Sequence, residues 1–463
     1  MKNNKPDIMI AFLISLAFFI ELLDTTIINT SIPQMAISFN VPETAIKLAI
    51  TSYLISLAIF IPISGWFADK FGSRTIFCSA IFIFTISSLF CGLSNSIYEL
   101  AFYRILQGIG GALMTPVGRL IILQTFDKND LIKIMSYISI PALFGQMIGP
   151  LLGGIITTFY SWHWIFFVNI PLGIILFSLS LKFIKNEKSI YLKKLDLKGF
   201  ILIALGLSFL SFSLENLSEK IFPKLFLIIL MFIGSIILIY YIFYSKKIKN
   251  PIINLKLFQT KTFKIANIQL LISISSVGGI SFLIPILLQS QFKMTPLHSG
   301  IMVLPIAIGA IFIRFFVSKL VSTFGYRKIL IINPLIISCC VLLLSFIKEN
   351  NIYLIIIFGF LFGIFYTLQI SVTSILGYLD IKAIDKSNAT SIQSSSIQLS
   401  MNMAICFSAL FLNFFLTLNN AKLGIINNTN EVLLSFQYCF IIMSILFLLN
   451  SFFAYFLDKK NLN

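Results

Sequence analysis

Apolar residues in this chain gather into runs of about twenty, set apart by short gaps that hold most of the lysine and arginine. A run of that length, rising about 1.5 Å per residue, crosses a hydrocarbon layer of about 30 Å. Within such a layer the backbone must satisfy its own hydrogen bonds, and a helix does so inside one segment. The pattern predicts fourteen spans, at 8-33, 45-67, 76-94, 97-118, 135-159, 164-183, 198-214, 222-244, 265-289, 298-318, 328-347, 353-376, 388-413 and 435-457. The fold class is therefore all-α integral membrane, and an even number of spans puts both termini on one side.

The basic gaps say which side. With the N-terminus cytoplasmic, twenty-six of the 34 Lys and Arg fall in cytoplasmic segments and six in outer loops, while Arg104 and Arg314 lie within spans. Lys and Arg accumulate on the cytoplasmic side of a membrane protein, so both termini are assigned there. The first run follows a basic start, as a signal peptide does, but it is too long, carries two acids and lacks a small-residue cleavage site. It reads as a retained span.

The two longest basic connections bracket the spans 198-214 and 222-244 and leave six spans on either side. The expected organisation is a six-helix bundle at 1-185, two linker transmembrane helices at 186-264 and a second six-helix bundle at 265-463. Two such halves should retain internal similarity. GWFADKFGSR (65-74) follows the second span and SKLVSTFGYRK (318-328) the tenth; aligning Gly72 with Gly325 sets Ser318 opposite Gly65 and Ser322 opposite Asp69.

Composition agrees with the pattern. The 463 residues are 58% hydrophobic and 11% charged, with a mean hydropathy of +0.98, against about 25% charge in a soluble domain. A net charge of +17 would suggest nucleic acid in a soluble protein, but here the basic residues sit between spans, where orientation explains them. Six Cys scatter through apolar segments without metal spacing, so no disulfide framework, metal site or cofactor is expected. No GxxxxGK[ST] loop or catalytic triad spacing appears, which leaves ATP-driven pumping and membrane enzymology without support from a motif.

Charge inside the spans is where chemistry is to be sought. Glu21 and Asp24 lie in the run FFIELLDTTIINTSIP (18-33), three residues apart and so on one flank of a helix. Ionisable groups at membrane depth face a bundle interior or a water-filled path. Arg104 lies about 9 Å from the outer end of the fourth span and Asp24 about 14 Å from that of the first, so the two can meet and couple protonation to movement. The alternative for Arg104 is snorkelling to the outer interface.

In the loop GWFADKFGSR, Gly65 permits close helix approach and Gly72 a tight turn, while Asp69 with Lys70 and Arg74 can form a charge-paired latch; the alternative is a basic loop that only sets topology. GQMIGPLLGG (145-154) places Gly145, Gly149, Gly153 and Gly154 near one-turn spacing around Pro150, as a hinge or as static packing. Asn29, Gln107 and Gln146 are candidate polar residues of a cavity, with interhelical bonding as the alternative. His163 and His298 belong at interfaces, Glu215 in water. No acid lies well inside a span of the later half, so proton carriage falls to Glu21 and Asp24.

These stretches resemble the major facilitator superfamily, and within it the fourteen-span drug:proton antiporters of the EmrB/QacA type. The likeness rests on LDTTIINTSIP (23-33), GWFADKFGSR, RILQGIGGA (104-112) and GQMIGPLLGG, and it extends through SWHWIFFVNIPLG (161-173), NLKLFQTKTF (254-263), SGIMVLP (299-305) and FGYRK (324-328). MTPVGRL (114-120) and SIQLSMNMA (396-404) are most similar to the MdtD-like branch of multidrug exporters. The resemblance implies a six-plus-two-plus-six bundle working by alternating access, with Asp24 as the protonatable or substrate-contacting acid and Arg104 its coupling partner. Glu21, where an uncharged polar residue is expected, and Ser322, where an acid would pair the latch, are departures.

The expected function is proton-coupled export of small amphipathic compounds across a bacterial cytoplasmic membrane, with protons, a small-molecule substrate and the bilayer as partners and no nucleic acid. A periplasmic adaptor is left open. The alternatives are an organic-anion exporter or uptake symporter in which Arg104 binds a carboxylate, and a membrane sensor without flux.

Overall fold

The computed structural model describes residues 5–189, 194–217, 222–348, 351–419 and 429–457. All regular elements among them are helical. The first stretch holds α1 (Lys5–Ile27), α2 (Ile32–Phe39), α3 (Glu43–Phe60), α4 (Ser64–Phe71), α5 (Ser73–Gly92), α6 (Ile97–Thr125), α7 (Lys128–Phe159), α8 (Trp164–Phe167) and α9 (Asn169–Phe183). Then come α10 (Leu197–Asn216), α11 (Lys224–Lys247), α12 (Lys261–Ile286), α13 (Pro296–Arg314), α14 (Val317–Leu344), α15 (Leu354–Leu379), α16 (Lys386–Leu418) and α17 (Thr429–Tyr455).

Among the described residues thirteen helices are long and apolar enough to cross a membrane. The expected span at 298-318 corresponds to α13, Pro296–Arg314. It ends early because the chain turns at Phe315–Phe316 before α14 begins, and hydropathy does not register a turn made of two phenylalanines. The helices present apolar side chains outward: on α11, Ile229, Phe232, Ile236, Ile239 and Phe243 are all exposed. A surface of this kind is stable only against lipid.

Local sequence sets the helix boundaries. Ser96 accepts from the Glu99 amide at 3.2 Å, and the Glu99 carboxylate accepts from the Asn95 amide at 2.9 Å, a reciprocal cap that starts α6. Asp196 caps α10 through the Gly199 amide at 2.8 Å. The motif GWFADKF is itself helical, and Gly72 at φ 99° and ψ 143° turns α4 into α5. Its repeat partner Gly325, at φ 72° and ψ 160°, kinks α14 at the corresponding place. Only glycine adopts such angles without strain, so the two halves share this turn in backbone geometry as well as in sequence.

Two compact units divide the described chain. The first comprises residues up to 257 together with 381–398, the second 258–380 and 399 onward. In the first, α1 packs along α7, α6 is flanked by α3 and α5, and α10 lies against α11 and α3. In the second, α14 packs on α15 and α17 and α13 on α15, around a core that includes Leu283, Ile337, Phe362, Phe436 and Phe447.

The α1–α7 contact is made by glycine. A Cβ at Gly145 would stand 2.6 Å from the Phe19 carbonyl oxygen and one at Gly153 2.6 Å from that of Ile27, while Gly149 faces Thr26. Nothing lies within 4 Å of the corresponding position at Gly154, so that residue is not part of the interface. Pro150 is exposed on the same helix. Gly153→Ala should therefore destabilise the protein by about 1–3 kcal/mol through overpacking, read as a lower Tm of purified protein in detergent, and Gly154→Ala should leave Tm unchanged.

Candidate functional site

Five helices of the first unit converge on one carboxylate. Asp24, on α1, is 0% exposed and Arg104, on α6, is 1% exposed. Arg104 Nη1 donates to Asp24 Oδ2 at 2.5 Å and to Gln107 Oε1, one turn along α6, at 2.7 Å. The other Asp24 oxygen, Oδ1, accepts from Gln107 Nε2 at 2.8 Å and from Asn169 Nδ2, on α9, at 2.9 Å. Ser88 of α5 takes the second proton of the Gln107 amide at 2.8 Å, and the Cys91 thiol, also on α5, donates to Gln107 at 3.7 Å. Tyr53 of α3 lays its ring 4.2 Å from the Arg104 guanidinium carbon, close enough for the ring face to attract the cation. Arg104 does not snorkel; it is held in this knot.

The packing around the knot uses small residues. A Cβ at Gly108 would meet the Tyr53 carbonyl oxygen at 2.8 Å, and one at Gly111 the Tyr53 hydroxyl at 2.8 Å. The glycines of RILQGIGGA thus bring α3 against α6 closely enough to set Tyr53 over Arg104. A buried ion pair repays its desolvation only with good geometry and with its remaining lone pairs and protons satisfied. Gln107 and Asn169 supply that satisfaction on the carboxylate side, and Ser88 accepts from the Gln107 amide behind them.

Glu21 lies one turn before Asp24 and is only partly buried. Its carboxylate accepts from the Thr115 hydroxyl of α6. Arg119, the next turn of α6, donates to Ser394 at 3.4 Å, with the Phe18 ring 6.0 Å from its guanidinium carbon. Asn29 and Gln146 are exposed and stand apart from the knot, whereas Gln107 is central to it. Asn169, Ser88, Tyr53 and Thr115 were not singled out by sequence; Asn169, a lone amide in an apolar span, was the available signal. Glu215, expected in water, is half-buried on α10 and accepts from Thr51 of α3 at 3.1 Å.

At the α4 turn, sequence expects Asp69 to pair with Lys70 and Arg74. The structure sets the Ser387 hydroxyl, in the first turn of α16, on the Asp69 carboxylate at 2.8 Å. Lys70 lies over the rings of Trp66 at 4.7 Å and Phe71 at 5.0 Å. Ser391 bridges the α4 start, accepting from the Gly65 amide at 2.9 Å and sharing a hydrogen bond with Ser64 at 2.9 Å. That amide is one of the donors a helix start leaves without an intrahelical partner. The segment after α9 ties the same turn: the Ser73 amide donates to Glu187 O at 2.9 Å and the Ser189 amide to Asp69 O at 3.1 Å. In the second half, Ser322 donates to Lys319 O of its own helix at 2.9 Å.

The sequence model described as Major Facilitator Superfamily matches residues 14–377. The chain belongs to this superfamily. It is a multi-pass membrane transporter of small molecules. A protein of Escherichia coli O6:H1 named "Putative multidrug resistance protein MdtD" is 34% identical over 405 residues, covering 87% of this chain and 86% of the relative. One of the same name from Pectobacterium atrosepticum is 32% identical over 405 residues, covering 87% of each chain. These relatives agree with the resemblance to the MdtD-like branch. Two solved structures share the fold at 14% identity: the major facilitator superfamily proton:xylose symporter XylE, with a TM-score of 0.67 over 98% of this chain and 96% of that one, and the human organic anion transporter MFSD10, with 0.64 over 97% and 99%.

Gly65 tests the α4 contact most sharply, because an added Cβ would stand 2.6 Å from the Ser387 backbone oxygen. Gly65→Ala should lower the initial transport rate at least several-fold at unchanged membrane insertion. Ser391→Ala, which leaves the Gly65 amide short of its acceptor at a cost of about 1–3 kcal/mol, should lower it less; equal rates for wild type and Gly65→Ala would contradict the role of this contact.

Proposed function

We propose that this transporter exports small amphipathic compounds, multiple-drug type, across the bacterial cytoplasmic membrane in exchange for protons, working by alternating access. The observation that carries the reading is the placement of two carboxylates on one flank of α1, with the fully buried one locked to Arg104. A transporter driven by protons needs a group that binds a proton in one state and releases it in another, and acids at membrane depth are the groups that do so. The relatives named for multidrug resistance point to the class of cargo.

In this cycle the outward-facing protein takes a proton on the carboxylate flank of α1 and rocks inward. Substrate arriving from the cytoplasm displaces the proton, and the return movement releases substrate outside. Gly145, Gly149 and Gly153 give α1 a smooth partner surface in α7, and the α4 turn with Asp69, Lys70, Gly72 and Arg74 acts as the gating element. The two linker spans divide a six-helix half from a second six-helix half, with both termini in the cytoplasm. The organic-anion reading requires Arg104 to hold a substrate carboxylate, and Arg104 is already committed to Asp24 and Gln107 at 1% exposure.

Purified protein in liposomes with an acidic lumen and an enclosed pH-sensitive dye tests the proposal. Adding a lipophilic cation should release lumenal protons, and Asp24→Asn, which breaks the knot, should reduce the release at least tenfold while the protein remains folded. Proton release unchanged in Asp24→Asn, or triggered by a small dicarboxylate alone, would contradict it.

A further inference from the structure

We infer that Glu21, and not Asp24, is the carboxylate that releases its proton to the cytoplasm when a substrate cation takes its place, and that the exchange is one proton for one monocation. The inference rests on the antiport reading above and assigns separate tasks to the two acids.

Asp24 is saturated. One oxygen is held by Arg104 at 2.5 Å, the other by Gln107 and Asn169 at 2.8 and 2.9 Å, and none of the residue is exposed. Its charge is cancelled inside the knot, so a substrate cation meets no net field from it. Protonating it would leave Arg104 as an uncompensated buried cation, a large penalty. Asp24 is therefore a positioning residue, fixing α1 against α6 and α9.

Glu21 differs in each respect. It is partly exposed, and its hydrogen-bond partner is a neutral hydroxyl, that of Thr115. A carboxylate offers about four acceptor positions, so one hydroxyl leaves room for a ligand. Thr115 also suits both states of the acid, since a hydroxyl donates to a carboxylate and accepts from a carboxylic acid. The charged and titratable groups that act on Glu21 are Arg119 on α6, Tyr53 on α3 and Asp24 on α1 itself, whose partner is Arg104. Arg104 is neutralised by Asp24, and Arg119 forms no ion pair with Glu21 but turns to Ser394. The Tyr53 hydroxyl is buried and carries no charge. From α7, Gly145 and Gly149 face α1 across this stretch and bring no charge.

The bookkeeping is simple. A proton bound to Glu21 makes the site neutral; a monocation that displaces it restores a neutral pair, and the proton leaves to the cytoplasm. No net charge crosses per cycle. Such an exchanger responds to a pH gradient and is indifferent to membrane potential.

The first test uses wild-type protein in liposomes, with tetraphenylphosphonium as the probe. A pH gradient alone should drive its exchange, and clamping the potential with valinomycin and potassium at different values should leave the initial rate unchanged. Glu21→Gln should lower that rate at least tenfold with Tm unchanged, and Glu21→Asp should recover part of it. Because a variant can fail for other reasons, the native protein provides a second measurement: a hydrophobic carbodiimide should label Glu21, tetraphenylphosphonium should protect it, and Asp24 should stay unlabelled. Full exchange in Glu21→Gln, label on Asp24, or a rate that follows the potential would overturn the assignment while the antiport reading stands. Absence of proton release by any cation in wild type would overturn both.

Discussion

A charge cannot be left alone at membrane depth, and the Asp24–Arg104 pair is how this chain meets that constraint. The pair joins α1 to α6, and its supporting groups extend the link to α5, α9 and α3. Each supporter has a reason to be there: Gln107 bridges the two charges, Asn169 satisfies a carboxylate lone pair, Ser88 takes a proton the bridge leaves over, and Tyr53 offers a ring face. Remove any of them and a buried polar group loses its partner, which costs more than the bond was worth. The five helices are thus fixed to one another by a polar centre of a kind that an apolar interior alone does not supply.

The rest of the helix association relies on close approach. Lipid tails are as apolar as leucine, so helices in a bilayer gain little from burying apolar faces and gain more from packing and shared hydrogen bonds. The glycines of α7 against α1 and of α6 against α3 serve the first need. Hydroxyls serve the second, as in Ser64, Ser387 and Ser391 around the α4 start and Ser338 with Ser444 in the second unit. The same economy explains α10 and α11, where Gly206 and Gly234 face one another across the crossing.

Much of this was legible in the chain. Run length sets the spans because a helix is the one open structure that hides its backbone from lipid, and the repeat glycines, Gly72 and Gly325, could be aligned because no other residue fits their angles. The Asp24–Arg104 pairing followed from depth, since two opposite charges inside the hydrocarbon region need each other. Less was legible where every face of a helix is apolar. Periodicity then carries no information about which side is buried, so Gln107, Gln146 and Asn29 looked alike although only the first belongs to the knot. The end of α13 at Arg314 was hidden by apolar turn residues. The bonds of Asp69 to Ser387 and of the α4 start to Ser391 were hidden because those serines lie more than three hundred residues away and hydroxyls in helices commonly bond to their own backbone.

The central claim is that Asp24 and Arg104 act as one neutral unit on which the first half of the transporter is built. A double-mutant cycle on thermal stability tests it most directly, comparing Asp24→Asn, Arg104→Gln and the two combined. Each single change strands a buried charge and should destabilise by about 3–5 kcal/mol, whereas the double change strands none and should be less harmful than either. Two effects that simply add would mean that the pair is not a unit, and the account would be wrong at its foundation.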